Sequence, residues 1–418
     1  MDIMKCGSLF SGVFGALLSS VCLAQPLTLN LVTFDAPPYQ APGADLHDRS
    51  HVTGETVDTV MCAAGQAGVV PHITILPQNR AVYSLGHNLV DGYFAIDPST
   101  ELDTIATRSD PVALEKWYFF TLKPDLDLKT ARIGVVGGSN EQAWLVANGY
   151  SIFLRINSPS QLLALLKRGR IDTALMDQKV MNSLSARKDQ QASLLHPHFL
   201  RYAPLYLYLS DAFVTVQPDF MPRFNHFLPS CMEQSLLLTD TEKKQVEKLA
   251  GRLISELHAI LNFQQALKDG PRMETFTDIL TADSKWQALA PRMATPLASR
   301  ILELPASASL LAWQQAHQGL ITEAVLMNDM GTLAAMSQLT SDFWQGDEPK
   351  FQSVINPPAK TADQGAALYI SSIHYDSSTA RFQITVSAPL IPAPGELPNG
   401  AISFGLDIER ALDESSWP

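Results

Sequence analysis

The residues with the clearest chemical potential lie between Ala131 and Asp177. A short apolar strand breaks at Gly137-Gly138, and Ser139 follows at the start of a helix. Free backbone N–H groups at a helix N-terminus attract anionic or polar ligand groups, whereas the Asp177 carboxylate suits a cationic one. Because ligands of open α/β sheets lie beyond the carboxyl ends of the strands, this segment predicts a site for a small polar molecule. Gly138 and Ser139 stand near one end of the site and Asp177 near the other.

The elements that must position these residues alternate between strands and helices, as in an open α/β sheet. Two long apolar strands, expected over 114–122 and 202–210, bracket this α/β segment. The pattern over 27–235 therefore predicts an α/β fold of two lobes. The chain crosses between the lobes near 112–123 and again near 199–210. Two crossings form a hinge, and closure of a hinge is a common way to bury a small ligand.

The composition and charge of the chain exclude several classes of function. Its 418 residues include 30 Lys and Arg against 42 Asp and Glu, for a formal net charge of −12. No basic cluster suited to nucleic acid occurs. The sequence also lacks a Gly-x-Ser-x-Gly turn, a His-Glu-x-x-His helix and a P-loop, so we expect neither an enzyme nor a cofactor. His196-Pro197-His198 has two imidazoles without a third ligand nearby, and we expect no metal site.

The first residues are typical of a secretory signal peptide. Lys5 precedes an apolar run over Leu9–Val21, and Cys22-Leu23-Ala24 has the form of a cleavage site. The predicted mature chain starts at Gln25, which makes residues 1–24 the signal peptide. A membrane anchor is the alternative, but the apolar run is shorter than the roughly 20 residues of a spanning helix. We therefore expect a periplasmic protein that is not embedded in the membrane.

The second half of the chain has a different character. Thr239 and Glu242 have the spacing of a capping box, and an amphipathic connecting helix is expected over 241–268. Helices and then antiparallel-looking strands follow over 269–418. This order predicts a separate α+β domain with a long leading helix. Asp329-Met330-Gly331 predicts a hairpin turn within that domain.

The predicted mature chain holds two cysteines, Cys62 and Cys231. In an oxidising compartment they can pair as a disulfide, and two unrelated buried thiols are the alternative. The sequence does not decide between the two, because it gives no distance between their Cα atoms.

A series of short motifs follows a characteristic order along 27–235. The motifs are Pro37-Pro38-Tyr39, Gly54, Leu76-Pro77-Gln78-Asn79-Arg80-Ala81, Asp91-Gly92, Ser99-Thr100-Glu101, Ser109-Asp110-Pro111, Gly138-Ser139, and Gly169-Arg170-Ile171-Asp172 with Asp177. In this order they resemble the family 3 extracellular solute-binding proteins, which have the type II periplasmic binding fold and carry polar amino acids and related solutes. The resemblance covers about half of the chain. It implies a solute-binding domain over 25–240, with one lobe from 25–112 and 200–240 and the other from 113–199.

The resemblance also implies a ligand-binding set drawn from both lobes. The set is Tyr39, Arg80, Ser99, Thr100, Gly138, Ser139 and Asp177. Structural roles are the alternative for three of them: Tyr39 could pack on its own lobe, Asp177 could cap a helix, and Arg80 could form a local ion pair. One position departs from the family. An Arg that pairs with the ligand carboxylate usually follows the Thr-Glu pair, and here that position is Leu102. The departure favours an amine, a modified amino acid or an uncharged solute over an α-amino acid.

A second resemblance concerns 250–418. Met327-Asn328-Asp329, followed by Asp342-Phe343-Trp344-Gln345-Gly346-Asp347-Glu348, resembles a Cache-type, PAS-like extracellular sensor domain. The resemblance implies a second pocket with Asp342, Trp344 and Tyr369. The alternative is that Trp344 belongs to the core and Asp342 caps a turn. Cache domains normally sit between two membrane helices, and no such pair is seen in this sequence.

Together these patterns predict a periplasmic binding protein with a sensory role. Closure of the lobes on a small polar solute would change the surface offered to a membrane receptor. A binding protein that feeds a transporter is the alternative, and a periplasmic enzyme on the same fold is a third possibility. No nucleic acid partner is expected.

Overall fold

We describe a computed structural model of the chain. It describes residues 27–43, 51–186, 195–232, 236–290, 292–356, 368–376, 381–393 and 395–413. The predicted signal peptide, residues 1–24, lies outside these ranges. We call residues 27–232 the first unit and residues 236–413 the second unit.

The first unit alternates between strands and helices, as its apolar pattern predicts. Its strands are β1 (Leu27–Thr33), β2 (Ala41–Pro42), β3 (Val52–Thr53), β4 (Val69–Ile75), β5 (Gly92–Ile96), β6 (Ala106–Thr121), β7 (Ile133–Val136), β8 (Ile152–Ile156), β9 (Thr173–Asp177) and β10 (His196–Ser210). Its helices are α1 (Glu55–Gln66), α2 (Gln78–Gly86), α3 (Thr100–Ile105), α4 (Asn140–Ala147), α5 (Pro159–Lys167), α6 (Gln178–Ala186), α7 (Asp211–Val216) and α8 (Phe220–Met232). Serine side chains accept a backbone hydrogen bond at the N-termini of α3, α4, α5 and α7, which satisfies a donor that the helix leaves free.

Eight of these strands form one mixed sheet in the order β4-β1-β5-β10-β6-β9-β7-β8. The outer strands on each side run parallel to one another, whereas β10 is antiparallel to both β5 and β6. Parallel strands with intervening helices are the pattern of an α/β fold. The mixed sheet confirms the α/β class predicted for this part of the chain.

The two longest strands, β6 and β10, connect the two halves of the sheet. They pair along their whole length, from His196 opposite Thr121 to Ser210 opposite Ala106. On one side β5 pairs with Tyr206–Leu209, near one end of this ribbon. On the other side β9 pairs with Trp117–Thr121, near the opposite end. The two half-sheets are thus two lobes: the first lobe carries β4, β1 and β5, and the second carries β9, β7 and β8.

The second unit begins with two helices, α9 (Asp240–Ile260) and α10 (Phe263–Asp269). Thr239 and Glu242 form the capping box that the sequence predicts. The single helix expected over 241–268 is wrong in its extent, because Leu261 is extended at φ −131° and ψ 124° and Asn262 caps a new helix.

The second unit contains an antiparallel sheet and several short helices. Its further helices are α11 (Phe276–Gln287), α12 (Pro296–Leu302), α13 (Pro305–Ala316), α14 (Pro349–Ile355) and α15 (Ile408–Leu412). Its strands are β11 (Ile321–Asn328), β12 (Leu333–Met336), β13 (Tyr369–Ile370), β14 (His374–Asp376), β15 (Arg381–Leu390) and β16 (Gly400–Asp407). The order is β12-β11-β16-β15-β13, with β14 also on β15. The predicted hairpin joins β11 to β12.

The largest apolar core passes from one unit into the other. It includes Leu29 and Phe224 of the first unit, Leu253 of α9, and Ile384 and Leu406 of the second sheet, all fully buried. Since burial of apolar surface is the main stabilising term in folding, the two units stabilise each other through this core.

A disulfide joins α1 to α8. Cys62 and Cys231 are bonded, with their Cα atoms 5.9 Å apart and 169 positions between them along the chain. The bond therefore links the first helix of the first unit to the last helix of that unit.

Candidate functional site

A cleft of about 740 Å³ lies between the two lobes of the first unit. Parallel strands of both lobes end at it. Phe34–Pro37 follow β1, Val136 ends β7, Asn157–Pro159 follow β8, and Asp177 ends β9. The cleft is thus at the carboxyl ends of the strands, where open α/β sheets bind their ligands.

Asp177 is the most constrained carboxylate of the cleft. It is 1% exposed and accepts hydrogen bonds from the Tyr39 hydroxyl at 2.9 Å, the Lys116 backbone N–H at 2.9 Å and the Val180 backbone N–H at 3.0 Å. Val180 lies in the first turn of α6, so Asp177 caps that helix as well as lining the cleft. Burial raises its pKa, and the three donors oppose that rise.

Two further carboxylates, Glu115 and Glu141, line the cleft beside Asp177. Glu115 is buried in β6 and accepts one hydrogen bond, at 2.7 Å, from the indole N–H of Trp117. Burial raises the pKa of Glu115 well above its usual value, and the charges of Asp177 and Glu141 raise it further. Burial also raises the pKa of Glu141. Like charges side by side favour the protonated forms, because each ionised carboxylate disfavours ionisation of the next.

Every charged side chain among the described residues that line this cleft is acidic. Asp35 joins Glu115, Glu141 and Asp177, and no Lys, Arg or His is among the described residues that line it. Burial raises the pKa of Asp35 too. Within the part of the chain that is described, no three acidic, His or Cys side chains are arranged to hold a metal ion. The charged groups of the lining suit a cation better than an anion.

Three contacts hold the lobes together across the cleft. Besides the bond between Tyr39 and Asp177, the Lys179 ammonium lies 2.5 Å from Glu55. The side chain of Asn140, on the second lobe, donates to the Ala95 carbonyl oxygen at 2.9 Å and accepts from the Asp97 backbone N–H at 3.2 Å. These contacts describe a closed arrangement of the lobes.

The loop that carries Tyr39 depends on a glycine. A Cβ atom at Gly54 would lie 2.3 Å from the Tyr39 carbonyl oxygen, and Gly54 has φ +133°. Any other residue would clash there and be strained, so Gly54 permits the loop to sit against the start of α1. The Thr56 backbone N–H donates to the Tyr39 carbonyl oxygen at 3.2 Å and fixes it there.

Asp97 and Arg201 form the nearest charged pair beyond the lining, 3.9 Å apart. Burial raises the pKa of Asp97 to about 6, although Arg201 opposes the shift. The Arg201 guanidinium also lies over the rings of Trp117 and Trp144, 5.4 Å and 5.9 Å from their centroids. These ring contacts hold the Arg201 guanidinium against β6 and α4 rather than in the cleft.

The structure brings three of the seven predicted ligand residues together. Gly138, Ser139 and Asp177 line the cleft. Ser139 caps α4, and Gly138 has φ +77°, which suits glycine at the turn before that helix.

The other four predicted residues do not line the cleft. Tyr39 is 4% exposed, and its hydroxyl is bound to Asp177 of the other lobe. Arg80 lies on the exposed side of α2, and Ser99 and Thr100 lie at the exposed start of α3, where Ser99 caps the helix. Leu102, in place of the family's Arg, is 4% exposed in an apolar cluster.

Sequence reasoning missed Glu115, Glu141, Asn140 and Asp97. Glu115 had a usable signal, because it is a charged residue within an otherwise apolar strand segment, and such residues are rarely buried without a role. Asn140 and Glu141 follow Ser139 directly in the first turn of the predicted helix, and their residue types are ordinary at such a position. No sequence feature singles out Asp97.

The residues predicted for a second pocket are separated. Tyr369 lines a cavity between the two units, and Asp342 and Trp344 do not line that cavity. The Trp344 indole N–H donates to the Met330 carbonyl oxygen at 2.9 Å, and its ring packs edge-on against Phe276. Trp344 is half-buried and lies outside the apolar core clusters, and the second pocket stays a prediction.

The hinge strands also contact the start of α9. Glu242 is bonded to the Lys116 ammonium at 2.6 Å and to the Tyr202 hydroxyl at 3.1 Å. Burial raises the pKa of Glu242, but Lys116 and the Thr239 donors outweigh it, so the net shift is downward. Lys116 therefore connects the cleft to the start of α9, since its backbone N–H binds Asp177 and its side chain binds Glu242.

Comparisons with known proteins find similar solved structures for half of the chain. An ancestral arginine-binding protein bound to arginine is 17% identical, with a TM-score of 0.39, and covers 50% of this chain and 97% of its own. A histidine kinase sensor domain similar to periplasmic binding proteins is 16% identical, with a TM-score of 0.40, and covers 50% and 91%. An amino acid transporter substrate-binding protein from Streptococcus pneumoniae, bound to L-arginine, is 18% identical, with a TM-score of 0.40, and covers 50% and 89%.

No protein-family model matches the chain, and no curated protein matches its sequence. Among the described residues, no helix has the length and apolar character needed to cross a membrane.

Proposed function

We propose that this protein binds a small cationic solute, such as an amine or a guanidine, in the cleft between its lobes. The observation that carries the proposal is the charge of the lining: four carboxylates and, within the described residues, no basic side chain. A cation would relieve the repulsion among Glu115, Glu141 and Asp177, and an anionic group would add to it. A volume of about 740 Å³ is in the usual range for small-molecule sites.

In the proposed binding, the two lobes close on the solute. The contacts between Tyr39 and Asp177 and between Lys179 and Glu55 join opposite lobes, so they exist only when the lobes are together. A solute that contacts both lobes would favour that arrangement by its differential affinity for it. The domain limits suggested by the family resemblance, 25–240 with its two lobes, agree with this proposal.

We further propose that the output is sensory, read by a membrane partner. The support is the bond from Lys116 to Glu242, which ties the hinge to the leading helix of the second unit. A change at the hinge would therefore reach the second unit directly. A Cache-like identity for that unit remains part of this proposal, as do its periplasmic location and a binding rather than catalytic role.

A paired-ligand screen tests the proposal. The folded protein is titrated with putrescine, agmatine and arginine, and with 1,4-butanediol and glutarate as neutral and anionic counterparts. A ligand that binds only the folded state raises the melting temperature. We expect stabilisation by the cations alone, and recovery of the bound cation unchanged by mass spectrometry.

Variants locate the binding. Glu115→Gln should weaken cation binding by about 10- to 150-fold, since a hydrogen bond to a charged group contributes about 1.5–3 kcal/mol. The matched control is Glu101→Gln, which makes the same change at an exposed position of α3. Equal stabilisation by butanediol, or full binding by the Glu115 variant, would count against a cationic ligand in this cleft.

A further inference from the structure

A second cavity of about 400 Å³ lies at the junction of the two units. One wall comes from the first unit, from Asp110 in β6 and from α8. The other wall comes from the second unit, from Glu323 in β11, from Glu348 and Lys350 at the start of α14, and from the edge strands β13 and β14. Its size is within the range of small-molecule sites. We call it the junction cavity.

The polar part of the junction cavity is acidic. Three carboxylates line it, those of Asp110, Glu323 and Glu348, against the single ammonium of Lys350. Lys350 is bonded to Glu348 at 3.1 Å. His374 also lines the cavity, and burial lowers its pKa, so it adds no positive charge near pH 7.

Two of the three cavity carboxylates, those of Asp110 and Glu323, have no hydrogen bond or ion pair to a described residue, whereas Glu348 and Lys350 bind each other. Glu323 is the one that lies within reach of the Lys350 charge. Burial raises its pKa, and the charge of Lys350 opposes that shift. A buried carboxylate without a donor is costly, and a charged donor supplied by a ligand would remove that cost.

One part of the wall of the junction cavity is apolar. Leu228 and Met232 of α8, Leu236 and Ile373 line it, and each is less than 6% exposed. An occupant must therefore place a cationic group near Glu323 and an apolar body against α8. Inorganic cations satisfy only the first requirement.

We propose that the junction cavity is a second ligand site, and that it takes a small organic ammonium ion with an apolar body. The site is separate from the cleft and does not depend on the function proposed for the cleft. Because its walls belong to both units, an occupant would contact β6 and α8 on one side and the second sheet on the other.

Calorimetric titration of the full chain tests this site. The probes are phenethylamine, tyramine and hexylamine at pH 7.5, each matched with the alcohol of the same skeleton. We expect the amines to bind and the alcohols to bind at least 10-fold more weakly. Glu323→Gln should weaken amine binding by at least 10-fold, and Glu396→Gln, an exposed control, should leave it unchanged.

A second variant moves the affinity in the opposite direction. Lys350→Met removes the ammonium that competes for the carboxylates, so amine binding should become several-fold tighter if the site is where we place it. The measurement on Lys350→Met tests the site even if the Glu323 variant folds poorly. The cleft variant Glu115→Gln separates the two sites.

Three results would overturn the inference. They are failure of every amine to bind at 10 mM, equal binding of amines and alcohols, and loss of binding in Glu115→Gln with retention in Glu323→Gln. The last result would assign the amines to the cleft and leave the function proposed for the cleft intact.

Discussion

Replacing Tyr39 with Phe tests whether one hydrogen bond holds the lobes closed. The substitution removes only the hydroxyl, which donates to Asp177 across the cleft at 2.9 Å. Both side chains are nearly inaccessible, at 4% and 1% exposed. The two backbone donors of Asp177 come from β6 and α6, so they remain when the lobes separate. The bond from Tyr39 is therefore specific to the closed arrangement.

The magnitude follows from the charge of the acceptor. A hydrogen bond to a charged group contributes about 1.5–3 kcal/mol. Each 1.4 kcal/mol is a factor of ten, so the ratio of open to closed protein should rise about 10- to 150-fold in Tyr39→Phe. Affinity for a ligand that needs the closed form should fall with the closed fraction.

Pulsed electron resonance between two spin labels measures this ratio. Labels at Glu101 and Ser160 sit at exposed positions on opposite lobes. Tyr83→Phe makes the same chemical change at a residue that is 58% exposed and serves as the control. We expect a longer and broader distance distribution in Tyr39→Phe only. Identical distributions in the two variants and the unmodified chain would refute the reasoning.

The remaining predictions concern the disulfide, the hinge contact and pH. Loss of the disulfide by Cys62→Ser with Cys231→Ser should lower the free energy of unfolding by up to about 5 kcal/mol, the chain-entropy value for a closed loop of this length, as measured by urea unfolding. Breaking the ion pair between Lys116 and Glu242 should give a coupling energy of about 2–3 kcal/mol in a double-mutant cycle of Lys116→Met and Glu242→Gln, because both groups are largely buried. Cation affinity in the cleft should rise with pH, with proton release on binding, as measured by calorimetry in buffers of different ionisation enthalpy.

The sign of the pH effect follows from the raised pKa values of the cleft carboxylates. Because their pKa values are raised, these groups bind protons more tightly in the folded, unliganded protein than in the unfolded chain. Their contribution to stability is therefore present below the unfolded pKa and is lost as the pH rises through the folded pKa. For Asp97 that window runs from about 4 to about 6. A bound cation favours the ionised forms of these carboxylates instead. A cation affinity that falls as the pH rises would therefore contradict the proposed cation site. A coupling energy near zero would likewise contradict the hinge contact.

The two-lobed sheet was predictable because its elements have strong local signals. The long apolar strands β6 and β10 stand out by length, and the capping box of α9 by its spacing. The end of α9 was not predictable. Apolar periodicity continues through Leu261 to Phe263 and Leu267, but packing against the second unit breaks the helix there.

The candidate site was less predictable than the fold. Gly138 and Ser139 follow from the helix start that they form. The role of Tyr39 depends on which partner its hydroxyl meets, and that partner, Asp177, is 138 positions away. The acidic character of the cleft is a property of four residues on different elements, brought together only by the register of the sheet. No local pattern contains that information.

The continuous core has a consequence for how this chain could have been assembled in evolution. Leu249, Leu253 and Leu257 of α9 are fully buried in an apolar cluster shared by both units, and the first turn of that helix is bonded to the hinge. A second unit attached by simple gene fusion would have exposed this surface until complementary residues arose on the first. Transfer of either half to another protein should likewise fail unless the facing residues are transferred with it. The boundary near residue 240 therefore divides the sequence, but it does not separate two independently inheritable modules.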